Sequence, residues 1–463
     1  MAVLAAGTLV FLNLNGKERP DRADSKGSPP AKSSPAADPT QSRELLNVPA
    51  PAQIGEVSND ADGSWLTSRS YAAGAPYAVL GYDLDTGKQS WKVPLDGDLC
   101  AASQDVTSKG LVAVVFRESV KNRRCTKIAV IDINRGRKVW QKSLPERKGN
   151  LGLDLNVGIS EELAAVGWPG ETWGFAVDSG ETVWDSPQPG CQFEEQLGVK
   201  KLMSLTYCGD HFEVSSHDAR SGKPSRVATL PKGLGWTWLA SADPLVVAAY
   251  VGDTEFPADA NRLLTFDKSG TLKATIKIDG YVPGCRDGGT CGAVVATKDS
   301  IYLASKRKTL TSGDHIAAFD TSTGKRKWTV DGTDRAEMLP MRSDENGLVA
   351  YSSAGPTRDG SGVVHLAAAD GKQTQLLRLP NGFAVSNMQS QLAGPGMDQP
   401  ILYQDGRLFF HLTSGFDIWH NVPMNVAFTT HGTAAGLGDS GVYAARAAAG
   451  VMMVSYSTGV NRA

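Results

Sequence analysis

The sequence predicts an all-β fold, a β-propeller of four-stranded antiparallel blades, on three observations. Turn-forming residues are abundant, with 50 glycines and 24 prolines. Apolar residues alternate over short runs, and stretches with a helical period are scarce. One hairpin pattern also returns at a nearly constant interval, the mark of a repeat architecture.

In that pattern a short apolar run leads to Asp, then to a turn closed by Gly, then to a run that often carries Trp four residues after the Gly. The strong copies end at Trp91, Trp140, Trp184 and Trp328, and weaker ones surround Gly222, Gly270 and Gly371. The turn glycines Gly87, Gly136, Gly180, Gly222, Gly270, Gly324 and Gly371 are spaced by 49, 44, 42, 48, 54 and 47 residues. A four-stranded blade takes about 40–50 residues. Gly supplies the positive φ of the turn, and the Asp four residues earlier (Asp83, Asp132, Asp218, Asp320) is placed to cap turn amides. Each Trp is a broad amphipathic plate suited to stacking on the neighbouring blade.

Upstream of the hairpins lie strongly apolar runs, among them Leu111–Phe116, Leu163–Trp168, Leu202–Tyr207 and Leu245–Tyr250. Continuous apolarity suits a strand buried on both faces. A last run from Ile401, trailed by Val422–Phe428, reads as an eighth, incomplete blade, so eight blades are expected, with seven as the alternative. Closure of the ring is expected from a strand near Val48–Val57, because an open ring leaves two unpaired sheet edges.

The expected organisation is an apolar membrane anchor or truncated signal at 1–16, a disordered Pro/Ser-rich linker at 17–46, the propeller at 47–429 and an Ala/Gly-rich tail at 430–463. The apolar run is shorter than the roughly 20 residues that span a bilayer. The linker is poor in aromatic residues and cannot bury enough apolar surface to fold.

Charge excludes one class of partner. Lys and Arg number 47 against 49 Asp and Glu, so no field draws the chain to nucleic acid. Six cysteines without metal-type spacing read as disulfides local to single blades: Cys100 with Cys125, Cys191 with Cys208, Cys285 with Cys291. The histidines fall in no metal-binding spacing, and Asn59–Gly63 lacks the later Glu of a calcium loop and reads as a turn. Neither a nucleophile elbow nor a phosphate loop is present. Four tryptophans outside the repeat position, Trp168, Trp173, Trp236 and Trp238, form a candidate ligand platform, with core packing as the alternative.

The hairpins resemble the tryptophan-docking repeat of the PQQ-like β-propeller family, best at Asp83–Trp91 and Asp320–Trp328. That family includes quinone-dependent dehydrogenases, assembly factors resembling BamB and extracellular sensor domains, and the tether, linker and propeller order resembles its anchored actinobacterial members. The dehydrogenases carry adjacent cysteines beside the cofactor and ligands for calcium. Here no two cysteines are adjacent and no calcium-ligand motif can be matched, so no catalytic residue or cofactor is carried over. The expected function is a non-catalytic extracytoplasmic binding or scaffold module, membrane-anchored or else secreted, for a protein or cell-envelope ligand. A PQQ- and calcium-dependent dehydrogenase and a sensor head are the alternatives.

Overall fold

The structure, a computed structural model, describes residues 40–49, 63–119, 124–144, 155–168, 170–185, 191–198, 200–253, 259–285, 291–306, 315–331, 337–353, 361–380, 401–411 and 423–429. All belong to the compact unit Pro39–Ala463. The segments expected as anchor, most of the linker and the C-terminal tail lie outside the described residues.

The described residues form only strands and turns, and the strands fall into eight antiparallel sheets. The first sheet shows the plan: Ser64–Leu66, Ser70–Ala75, Ala78–Asp83 and Gln89–Pro94 pair in chain order. Six further sheets repeat it, one with an extra strand, Val294–Ala296, beside Tyr281–Val282 on the same neighbour. First strands touch those of the next sheet, as Leu99–Ala102 touches Asn156–Ile159 and the latter touches Gln192–Gly198. The sheets therefore stand around a common centre as propeller blades.

Burial explains why second strands are apolar throughout. Successive side chains of a strand point to opposite faces, and here each face meets a different neighbouring sheet. From Leu111–Arg117, the side chains of Leu111, Ala113 and Val115 join the core shared with the third sheet, and those of Val112, Val114 and Phe116 the core shared with the first. Eight such cores occupy the spaces between consecutive sheets. One joins the last sheet to the first through Leu46, Phe409, Tyr71, Ala73 and Tyr82. Fourth strands are largely exposed, as in the pattern of Leu272–Lys277.

The last sheet corrects one expectation. Its fourth strand is Arg43–Pro49, paired with Pro423–Thr429 from Arg43 opposite Thr429 to Pro49 opposite Pro423. The closing strand thus lies earlier than Val48–Val57 and takes in the last four residues of the segment read as linker. The reason is local: Leu46 is buried against the first sheet, and the Leu45 carbonyl abuts Gly87 so closely that a Cβ there would sit 1.9 Å away.

The three disulfides join Cys100 to Cys125, Cys191 to Cys208 and Cys285 to Cys291. All lie on the side where second strands lead into third strands and fourth strands into the next sheet. The opposite side carries the turns between first and second strands and between third and fourth strands, and is called the turn face below.

A candidate binding groove on the turn face

Each repeat hairpin builds the turn face in the same way. The turn glycine donates its amide to the carbonyl four residues back, at 2.8–2.9 Å for Gly87 to Asp83, Gly136 to Asp132 and Gly324 to Asp320. The Asp carboxylate then gathers the intervening donors: Asp320 Oδ1 accepts from the amides of Ser322 and Thr323 and from both hydroxyls, at 2.7–3.1 Å. Asp83 and Asp218 do the same with Thr86 and Ser221. Hydrogen bonds to the ionised form, those of the Ser322 hydroxyl first, hold Asp320 down to about 2. Asp267, which spacing did not single out because its turn is one residue shorter, plays this part at Gly270.

The four repeat tryptophans dock between sheets. A β-bulge beside each Trp offsets the hairpin register, as between Gly81 and Tyr82 opposite Trp91, and such bulges re-aim side chains. Trp91 lies over Gly136, Trp140 over Gly180, Trp184 over Gly222 and Trp328 over Gly371, each the turn glycine of the next sheet. A Cβ on Gly136, whose φ is +65°, would stand 2.3 Å from Trp91 Cγ. Trp140 Nε1 donates to the Val177 carbonyl at 2.7 Å, and Trp328 Nε1 to that of Ala368 at 2.9 Å.

The tryptophans considered as a ligand platform do not come together. Trp168 and Trp173 meet edge to face at 5.1 Å inside the core between the second and third sheets. Trp236 and Trp238 stack at 6.3 Å against the core between the fifth and sixth. Trp168, Trp173 and Trp238 are at most 9% exposed, so they pack the interior and offer a ligand almost no surface.

What the turn face does present is a groove of about 780 Å³. Its walls are Thr67–Arg69 of the first sheet, Val106–Lys109 and Asn134–Arg137 of the second, Asp178 of the third and Gln404 of the last. Hydrogen bonds fix these walls. Thr67 Oγ1 donates to Asn134 Oδ1 at 2.7 Å, and Asn134 Nδ2 donates to the Lys109 carbonyl at 3.1 Å. Ser108 donates its amide and hydroxyl to Glu161 at 2.6 and 2.7 Å. The same connection carries Asp105, which accepts from the Gly198 amide and whose carboxyl burial pushes up to about 7.

Both carboxylates in the lining are already engaged. Asp132 is buried, its Oδ1 accepting from the Asn134 and Arg135 amides and its Oδ2 from the Arg135 guanidinium at 2.8 Å. Asp178 faces Lys109 Nζ at 3.3 Å. Sequence reasoning missed this groove because its residues come from turns far apart in the chain. The signal available was the repeat itself, which puts every turn between third and fourth strands on one face. Among the described residues no cluster of potential ligands could hold a metal ion.

A family model described as outer membrane protein assembly factor BamB matches residues 43–198. A search of the curated proteins found no match. Among solved structures, BamB from Moraxella catarrhalis is 14% identical, with 82% of this chain and 99% of that one covered at a TM-score of 0.46. The computationally designed Ika8 protein is 12% identical, with 83% and 99% covered at 0.47. The dihydro-heme d1 dehydrogenase NirN in complex with DHE is 13% identical, with 85% and 76% covered at 0.44. Over residues 43–198 the chain is similar to the PQQ-like repeats of that BamB-like model, and the sheets of the described residues build a propeller.

Proposed function

We propose that the protein is a non-catalytic binding or scaffold propeller that works outside the cytoplasm, offering the turn-face groove to a partner protein. The observation that carries this reading is the groove itself: a concavity of about 780 Å³ whose walls are hydrogen-bonded across sheets. A site of that kind is formed before its ligand arrives, which lowers the ordering cost of binding. Its two carboxylates are spent on turn amides and neighbouring cations, an arrangement that supports recognition rather than proton transfer. The similarity to BamB-like repeats over residues 43–198 supports the same reading. Three disulfides support an oxidising compartment. In this reading residues 1–16 serve as the membrane tether. Among the described residues no helix is long and apolar enough to cross a membrane.

The competing reading is a PQQ- and calcium-dependent dehydrogenase. Incubating the protein with PQQ and Ca²⁺ and assaying alcohols and aldose sugars with an artificial electron acceptor separates the two. The expected outcome is no turnover; sustained turnover overturns the binding-module reading.

A further inference from the structure

We propose that the turn-face groove takes an extended acidic peptide segment of a partner protein, with carboxylates of that segment held by Arg69 and Arg137. This rests on the binding-module reading and gives it a partner chemistry.

Charge accounting inside the groove comes first. Its lining holds four cations, Arg69, Lys109, Arg135 and Arg137, against the two carboxylates Asp132 and Asp178. Arg135 is committed to Asp132 and Lys109 to Asp178. Arg137 stands 4.0 Å from Asp132, whose oxygens already serve nearer donors. No side-chain partner holds the Arg69 guanidinium among the described residues. Two guanidinium groups are therefore left facing one concavity, in a chain whose net charge is −2. A guanidinium presents a planar fork of donors that matches a carboxylate with two parallel hydrogen bonds.

The shape of the lining selects among anions. Half-buried Leu66, Val106 and Val139 add aliphatic side chains to the lining. An extended peptide turns alternate side chains to opposite sides, so acidic residues at every second position can meet the arginines from one side of the segment. Among the described residues no aromatic side chain lines the groove. Single-stranded nucleic acid depends on aromatic platforms for base stacking, and the balanced charge of the chain gives it no long-range attraction.

The test uses the full chain and three labelled probes followed by fluorescence anisotropy. They are a peptide of about eight residues with Glu at alternate positions and Ala or Leu between, the same peptide with Lys for Glu, and a short oligothymidine. The Glu peptide should bind, more weakly as salt rises, and the Lys peptide should not. Combining Arg69→Glu with Arg137→Glu should weaken the Glu peptide about tenfold or more, with Arg→Gln at both sites intermediate. Lys88→Glu with Lys325→Glu, the same change of net charge on other exposed turns, should leave binding unchanged. Melting temperatures establish that each variant is folded. No binding of the Glu peptide, binding indifferent to the Arg69 and Arg137 changes, or tighter capture of oligothymidine would each overturn the proposal. None of these would touch the binding-module reading, which turnover with PQQ and Ca²⁺ alone would overturn.

Discussion

Trp328 is the repeat tryptophan whose contribution to stability is easiest to isolate. It is 9% exposed, sits in the core between the sixth and seventh sheets, and its Nε1 donates to the Ala368 carbonyl. Trp328→Ala removes the ring and leaves that carbonyl to solvent, and should cost about 3–5 kcal/mol in denaturant unfolding. Trp328→Phe should cost less, because it keeps most of the apolar contact. An unchanged midpoint for the Ala variant would mean that the ring does not hold the two sheets together. The capping carboxylates predict a pH dependence. Asp320 is held at about 2, below its ordinary value of 3.8, so the folded state binds its proton less readily than the unfolded chain. Its stabilisation is complete above about pH 4 and fades as the pH falls towards about 2. Asp83 and Asp218 are lowered for the same reason, their bonds with Thr86 and Ser221. Asp83 and Asp218 are exposed and Asp320 is partly so, which keeps the effect small. Thermal melts between about pH 5 and pH 2 should show a shallower acid slope in Asp320→Asn than in the parent protein. Equal slopes would show that the turn carboxylates do not contribute.

Arg43–Pro49 is the element on which ring closure depends. Removing it strips the partner from Pro423–Thr429 and uncovers Phe409, Tyr71 and Tyr82. An uncovered edge recruits strands from other molecules. A chain beginning at Gly63 should therefore elute as dimers or larger species, and a peptide of sequence RELLNVP should return it to monomer; a monomer with unchanged melting would refute this. The element also shows where sequence reading falls short. Its apolar residues, Leu45, Leu46 and Val48, follow directly on a Pro- and Ser-rich stretch, and composition averaged over that stretch hides a strand whose partner lies 386 residues later. The hairpins were legible for the opposite reason. Asp83 to Trp91 contains its whole turn, cap and docking ring within nine residues, so local chemistry was enough. The cysteine pairs were legible in the same way, each pair being local to one blade.

At the scale of the whole molecule, the alternation in second strands accounts for the ring. Leu111 and Val112 are neighbours in sequence yet serve different cores, so each such sheet can be buried only between two others. The groove was not legible because Arg69 and Arg137 lie 68 positions apart and come together only through the docking of the first sheet on the second. Of the four tryptophans read as a platform or else as core packing, Trp168, Trp173 and Trp238 are buried and Trp236 packs partly buried beside a core; their local sequence says only that they are large and apolar, and the ring decides which way they point. Ring closure by the first strand also bears on how the molecule is made. A chain synthesised at about 5–20 residues per second completes Thr429 about 20–80 s after Arg43. Throughout that interval Arg43–Pro49 has no partner strand, and the first sheet lacks one of the two neighbours that bury it. The last sheet and the core it shares with the first can form only after nearly the whole chain has emerged, so folding ends on contacts of very long sequence separation, which are slow to form. A newly made molecule therefore passes through an open-ring stage in which both of its terminal sheets are exposed to other chains.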